Sequence, residues 1–198
     1  MRDSIRALTC AGLLVATPVL ADWTLDPERS RLSFVSIKSG DVGEVNTFEE
    51  VHGVVGDQGD VTVTLMLDSV ETLIPIRNER MRELLFETTD YREAVLEAKV
   101  DPELLAGLEV GAMMPLTAEG RLSLHGERQP MTISMQVARL DETTLMVAST
   151  KPLIVDAEKF GLSDGVEQLR EIAGLERIAR AVPVTFVVTF VAQPQAPE

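Results

Sequence analysis

Two runs of strict alternation between apolar and polar side chains lie close together in residues 120–137. Because successive side chains of a β-strand point to opposite faces, a period of two predicts strands with one solvent-exposed face. The letters between the runs, H-G-E-R-Q-P, include Gly126 and Pro130, which suit a turn. The stretch therefore predicts an antiparallel hairpin. Its apolar face would carry Gly120, Leu122, Leu124, Met131, Ile133, Met135 and Val137.

The same alternation recurs along most of the chain. Strands are predicted at residues 23–25, 31–38, 45–55, 61–67, 94–100, 116–125, 131–139, 144–149 and 184–190, with a turn at 26–30. Met81, Leu84 and Leu85 follow the spacing i, i+3, i+4, which predicts a helix from Pro75 to about Phe86. A second apolar stripe predicts a helix near residues 165–179.

The ratio of strands to helices indicates the fold class. About eight strands and two helices, not interleaved as in parallel-sheet folds, favour an antiparallel sheet. Closing that sheet into a barrel would bury one face and remove the exposed edges. We therefore expect a mainly β protein built as an eight-stranded antiparallel barrel with two short helices.

The first residues have the pattern of a secretory signal. Arg2 and Arg6 precede an apolar run at residues 7–20, and V-L-A ending at Ala21 is a small-x-small cleavage site. We expect a signal peptide at residues 1–21, a barrel domain at 22–192 and a Pro-rich disordered tail at 193–198. This organisation predicts a periplasmic or secreted protein.

Composition excludes several functional classes. The formal net charge of −14 argues against binding nucleic acid, whose phosphates require Lys and Arg. Cys10 is the single cysteine and lies in the signal segment. The mature chain is therefore expected to contain no disulfide, no Cys-ligated metal and no thiol nucleophile.

No residue pattern indicates a catalytic or metal site. His52 and His125 lack the spacing of metal ligands and are interpreted as surface histidines. Ser163 or Asp164 is predicted to cap the helix that follows, with Glu167 near its start. Acidic residues are numerous, but no pair is singled out as a catalytic pair. We expect no catalytic residue, no metal and no cofactor.

A set of motifs in a fixed order resembles the YceI-like family over nearly all of residues 23–191. The motifs are W-x-L-D-P-x-x-S-x-L-x-F from Trp23, D-S-V-E-T from Asp68, Arg77-Asn78 with Leu84-Leu85-Phe86, G-x-L-x-L-H-G from Gly120 with Pro130-Met131, and K-F-G-L from Lys159. The chain departs from the usual family pattern at Tyr91-Arg92, at residues 46–48 and in a long segment at 162–181.

The resemblance implies a lipocalin-like, extended antiparallel barrel that holds a polyisoprenoid-type lipid in its pore. It also implies a periplasmic or secreted location and no established catalytic activity. The ligand would be an isoprenoid or quinone-type lipid, and both a monomer and a homodimer stay open.

Nine residues are predicted to line or cap the pore. They lie on apolar strand faces or on the first helical stripe, and are Phe34, Leu65, Leu84, Phe86, Ala118, Leu122, Ile133, Phe186 and Phe190. Small residues on the same faces, among them Ala94, Ala98 and Gly120, indicate either free space or ordinary tight packing.

Three functions are compatible with these sequence features. The first is a periplasmic binding protein that holds a polyisoprenoid or quinone-like lipid. The alternative is a hydrolase or isomerase that acts on a hydrophobic substrate with carboxylates in the pore. A third is a surface or stress-response protein whose barrel is merely packed.

Overall fold

The computed structural model of the protein describes residues 23–193. The predicted signal peptide at 1–21 and most of the predicted tail at 193–198 lie outside the described residues. The strands are β1 Trp23–Lys38, β2 Val42–Phe48, β3 Val51–Val55, β4 Asp60–Met66, β5 Val70–Glu71, β6 Glu93–Lys99, β7 Met113–Leu124, β8 Glu127–Asp141, β9 Thr144–Ser149, β10 Leu153–Asp156 and β11 Ala181–Ala192. The α-helices are α1 Pro75–Arg80, α2 Pro102–Ala106 and α3 Ser163–Ile172.

Eight of the strands form a closed ring. Following the hydrogen-bonded neighbours gives β1-β3-β4-β6-β7-β8-β9-β11, and β11 pairs again with β1. Every pairing is antiparallel. The predicted fold class, a mainly β protein built on an eight-stranded antiparallel barrel, is confirmed.

Two long strands extend the barrel at one end. The second half of β1 pairs with β2, which in turn pairs with the short β5. The first residues of β11 pair with β10, a strand that the alternation pattern did not predict. Beyond the ring, the wall at this end therefore consists of β5, β2, β1, β11 and β10.

The turn predicted at residues 26–30 is instead a bulge inside one 16-residue strand, β1. Asp26 pairs with Thr189, whereas Arg31 pairs with Val187, so the extra residues of β1 loop out of the ladder. Ser30 closes this bulge, because its Oγ donates to the Asp26 carbonyl oxygen at 2.6 Å and accepts from the Thr189 amide at 3.0 Å. The side chain thus replaces a ladder hydrogen bond and lets the strand continue.

The predicted hairpin at 120–137 is present, but its turn is shorter than expected. Only His125 and Gly126 connect β7 to β8, and both have positive φ, 50° and 79°. Two consecutive residues with positive φ are the requirement of a tight type I′ hairpin turn. Pro130 lies inside β8 opposite Arg121. The pair Leu124–Glu127 closes the turn with hydrogen bonds, so alternation along the ladder makes Arg121–Pro130 a pair without them. On the other side of β8, β9 begins to pair only at Met135, so no strand needs an amide hydrogen from Pro130.

The single strand predicted at 45–55 is two strands, β2 and β3, separated by Glu49 and Glu50. Ser69 holds the break: its carbonyl oxygen accepts from the Glu49 amide and its Oγ accepts from the Glu50 amide, both at 3.0 Å. Because the chain turns here, β2 joins the extension while β3 stays in the ring.

The first helix begins at Pro75 as predicted, and it ends in a wider turn. Residues Met81–Leu85 form a π-helical turn in which the Phe86 amide donates to the Met81 carbonyl at 2.9 Å. This i to i+5 bond inserts an extra residue per turn.

The described chain has three α-helices rather than two. The short helix α2 was not predicted; it begins after Asp101, whose side chain accepts from the Glu103 amide. The helix α3 ends at Ile172 rather than near 179, because Gly174 adopts φ 63° and breaks the helical path. The predicted cap by Ser163 or Asp164 is wrong, since Leu162 occupies the cap position and makes no side-chain hydrogen bond. Of the helices within residues 23–193, none is long and apolar enough to cross a bilayer.

Candidate functional site

The inner face of the barrel encloses an apolar cavity with a volume of about 250 Å³. It exceeds the apolar cavity of about 150 Å³ that, in an engineered protein, stays dry and binds benzene. Its wall takes residues from both hydrophobic clusters of the described chain, one that contains Phe160 and one that contains Val137. The side chains on the wall are all Ala, Val, Leu, Ile, Met or Phe.

Eight of the nine predicted pore residues lie on the cavity wall. They are Phe34, Leu65, Phe86, Ala118, Leu122, Ile133, Phe186 and Phe190. The ring brings them together from β1, β4, β7, β8, β11 and the segment after α1. Their contact with a ligand stays a prediction.

Leu84 is the exception, since it does not line the cavity. The π-helical turn rotates the chain, so that Met81, Leu85 and Phe86 face the cavity instead. The backbone at Leu84 and Leu85 lies against Gly165 of α3, where a β-carbon on Gly165 would collide with it. The regular helical spacing assumed for Leu84 fails because of the extra residue in this turn.

The small residues separate into two groups. Ala94, Ala98 and Ala118 line the cavity and therefore leave space. Gly120 serves packing, because a β-carbon there would lie 2.6 Å from the Glu97 carbonyl oxygen and 3.2 Å from Ile133 Cδ1. The interpretation as free space therefore applies to the three alanines, and the interpretation as tight packing applies to Gly120.

Helix α3 contributes wall residues that sequence reasoning missed. Leu162, next to its start, and Val166 within it both line the cavity. The helix packs on the turn Met81–Leu85 and covers this part of the barrel. The apolar stripe of α3 was visible in the sequence, but nothing in it indicated which surface the stripe covers.

The inner face of β1 and β2 becomes polar beyond Phe34. Phe34 pairs with Asn46, and Ser36 pairs with Glu44, so these four side chains share one face. Glu44 Oε1 accepts from Lys38 Nζ at 2.8 Å, and Glu44 Oε2 accepts from Arg77 Nη1 at 2.5 Å. The Lys38 ammonium, with the Arg77 guanidinium, lowers the pKa of Glu44 although partial burial opposes the shift.

The two histidines differ from one another. His52 is exposed and its Nε2 lies 2.9 Å from Glu50 Oε1, in keeping with a surface histidine. His125 is not a surface residue: only 14% of its side chain is exposed, and its ring centre lies 4.3 Å from that of Tyr91. The tight turn bends His125 back onto Tyr91 and Gly161. Within residues 23–193, no group of three His, Cys, Asp or Glu residues is arranged to hold a metal.

Carboxylates are missing from the cavity wall in the described part of the chain. The hydrolase or isomerase alternative required such groups in the pore. It therefore gains no support from the geometry of this cavity.

The fold and the cavity define a class of protein. A closed antiparallel barrel with eight strands has an interior just large enough for one small ligand, and here that interior is lined by apolar side chains. The class is that of barrels built around an internal hydrophobic cavity.

Comparison with known proteins then identifies the family. The sequence profile of the YceI-like domain matches residues 23–190, and the protein belongs to the YceI-like family. Among solved structures, a polyisoprenoid-binding domain from Saccharophagus degradans, implicated in plant cell wall breakdown, shares 37% identity and a TM-score of 0.84. That match covers 86% of this chain and 98% of the other.

A second solved structure, BcnA from Burkholderia cenocepacia, shows the same fold at 16% identity with a TM-score of 0.62. The match covers 83% of this chain and 98% of BcnA. A search of curated proteins found no match to this chain.

Proposed function

We propose that the protein binds a polyisoprenoid or quinone-like lipid inside the barrel and has no catalytic role. The observation that carries this proposal is the wall of the cavity, which is apolar along its whole described surface. The similarity at 37% identity to a domain described as polyisoprenoid-binding supports the choice of ligand class.

Apolar contact alone can supply affinity for such a ligand. Burial of apolar surface contributes about 25 cal/mol per Å², and almost the whole surface of an aliphatic chain is apolar. Part of this free energy offsets the lost motion of ligand and protein on binding. A branched isoprenoid chain fits a wall of branched and aromatic side chains, whereas a charged ligand would lose its hydration without compensation.

The same proposal includes export to the periplasm or the outside of the cell. It is supported by the basic start, apolar run and cleavage pattern of residues 1–21. N-terminal sequencing of the exported protein should find Asp22 as the first residue. An exported protein that still begins with Met1 would contradict the signal-peptide assignment.

Native mass spectrometry of the purified protein tests ligand and subunit number together. We expect a population heavier than the bare chain, and an organic extract that contains an isoprenoid or quinone of the same mass. The native spectrum also distinguishes a monomer from a homodimer. If the protein carries no lipid and takes up none when supplied, the proposed function is wrong.

Substitution of Ala118 tests the place of binding. Ala118 is 3% exposed and lines the cavity opposite Ile133, so Ala118→Leu fills space with three more carbon atoms. We expect it to weaken uptake of a long isoprenoid at least tenfold without unfolding the barrel. The control is Thr117→Leu, which changes the exposed neighbour on the outer face and should leave uptake unchanged.

A further inference from the structure

The cavity adjoins a polar end on the extension of the barrel. Phe34 and Phe48 line the cavity, and the next residues on the same face are Ser36 on β1 and Asn46 on β2. Two residues along a strand cover roughly 7 Å, so this change from apolar to polar is abrupt. We call Ser36, Glu44, Asn46 and Arg77 the polar end.

Asn46 carries an unpaired acceptor in this polar end. The residue is 4% exposed; its Nδ2 donates to Ser36 Oγ at 3.1 Å and to the Glu44 carbonyl oxygen at 3.2 Å. Because a carbonyl oxygen can only accept, the amide nitrogen must face Glu44, and the orientation of the amide is determined. Its Oδ1 is buried and has no hydrogen-bond partner among the described residues.

Arg77 carries an unpaired donor next to the same glutamate. Its Nη1 donates to Glu44 Oε2 at 2.5 Å and its Nη2 to the Thr72 carbonyl oxygen at 2.7 Å. Its Nε is buried and has no hydrogen-bond partner within residues 23–193. Both unpaired groups therefore belong to side chains that hydrogen-bond Glu44, and leaving such groups unpaired costs free energy.

We propose that the polar end receives the hydroxyl group of an isoprenoid alcohol or of a prenylated quinol. This inference rests on the proposed function, since the isoprenoid chain would occupy the cavity beside Phe34 and Phe48. A hydroxyl hydrogen can donate to Asn46 Oδ1, and the hydroxyl oxygen can accept from Arg77 Nε–H.

Other head groups fit the polar end less well. An oxidised quinone has carbonyl oxygens that only accept, so it can pair with Arg77 but not with Asn46 Oδ1. A phosphate could accept from Arg77, but its anionic oxygens would also face the Asn46 Oδ1 acceptor and the Glu44 carboxylate. The hydroxyl is the one of these three groups that matches both unpaired atoms.

The test compares geranylgeraniol with its methyl ether, which has the same chain and lacks the donor hydrogen. Binding of each to delipidated protein is measured for the wild type, for Asn46→Leu and for Val45→Leu. Asn46→Leu keeps side-chain size and removes the acceptor, whereas Val45 lies on the exposed outer face of the same strand. We expect the wild type and Val45→Leu to prefer the alcohol about tenfold, and Asn46→Leu to bind both ligands equally.

The outcomes separate this inference from the proposed function. If the wild type binds alcohol and ether with equal affinity, the hydroxyl site is wrong while lipid binding stands; this comparison holds even if Asn46→Leu does not fold. If the wild type binds neither ligand, the proposed function itself fails, whereas an Ala118→Leu variant that binds as well as the wild type would contradict the place of binding. An anaerobic comparison of a prenylated quinol with its quinone shows which kind of lipid supplies the hydroxyl group. A preference for the quinol extends the site to quinols, and equal binding of quinol and quinone restricts it to alcohols.

Discussion

Glu44 connects two cations that belong to different elements, Lys38 of β1 and Arg77 of α1. It thereby ties the first helix to the extension of the barrel. The two cations favour the carboxylate over the neutral acid, so the pKa of Glu44 is lower in the folded protein than in the unfolded chain. The free energy of unfolding therefore depends on pH through the ionisation of Glu44.

Glu44→Gln should destabilise the protein at pH 7 by roughly 0.5–1 kcal/mol, the upper range for partly exposed ion pairs. A lowered folded pKa contributes stability above the unfolded value of about 4.3, and this contribution disappears as pH falls through the folded pKa. The difference in unfolding free energy between wild type and variant should therefore shrink below about pH 4.

Urea unfolding of both proteins at several pH values measures this difference. Glu158→Gln is the control, because the exposed Glu158 side chain lies 3.7 Å from Arg180. Its substitution should change the free energy of unfolding less than Glu44→Gln does at pH 7. A Glu44→Gln effect of constant size from pH 7 to pH 3 would contradict the argument.

Leu122 and Ser123 test the direction of neighbouring side chains on β7. Leu122 lines the cavity, whereas Ser123 faces outward between Val95 and Arg128. Leu122→Arg should cost several kcal/mol or prevent folding, because it places an unpaired cation in an apolar interior. Ser123→Arg should change the unfolding free energy by no more than about 0.5 kcal/mol. Equal effects of the two substitutions in urea unfolding would show that the assigned faces are wrong.

At the scale of elements, Gly120 controls how closely β6 and β7 approach. A β-carbon at Gly120 would lie 2.6 Å from the Glu97 carbonyl oxygen, which is backbone and cannot move aside alone. Gly120→Ala should therefore destabilise the barrel by about 1–3 kcal/mol through overpacking. Gly43→Ala in β2 is the control, since its nearest atom would be Val35 Cγ1 at 3.7 Å. Thermal unfolding compares the two; a harmless Gly120→Ala would contradict the close approach.

Sequence periodicity predicted the elements whose conformation is determined by their own residue pattern. Alternation located the β7–β8 hairpin and β9, and Pro75 marked the start of the first helix. It failed where a distant partner decides the path. The bulge after Asp26 depends on the Thr189 amide, and the break at Glu49 depends on Ser69. Neither partner is adjacent in sequence, so local patterns carry no signal of either feature.

At the scale of the whole molecule, the cavity and its polar end differed in how well they could be predicted. A closed ring turns one face of every strand inward, which is why the seven predicted pore residues that lie on its strands all reach the same cavity. Asn46 and Arg77 come from different elements, and both donate hydrogen bonds to Glu44. Their relation appears once the topology is known, because no spacing in sequence encodes it.

The barrel should gain stability from its ligand as a single unit. A ligand that binds only the folded state stabilises it by RT ln(1 + [L]/Kd), about 2.7 kcal/mol at a concentration one hundred times the Kd. Delipidated wild type and Thr117→Leu should therefore melt at higher temperature as geranylgeraniol is added. Ala118→Leu should melt at or above the wild-type temperature without ligand, because it fills the cavity, and should respond little to added ligand.

Differential scanning calorimetry with increasing ligand measures both effects in one series. A merely packed barrel predicts the opposite pattern: Ala118→Leu would melt lower than the wild type because the interior has no room for a larger side chain. It also predicts that geranylgeraniol would leave the melting temperature of the wild type unchanged. The two barrels thus predict opposite changes in the melting temperature of Ala118→Leu, and only the lipid-binding barrel predicts a rise in the wild-type melting temperature with ligand. A loss of folding stability in the variant therefore cannot be mistaken for a loss of binding. A lower melting temperature for Ala118→Leu together with no response of the wild type would exclude the lipid-binding function.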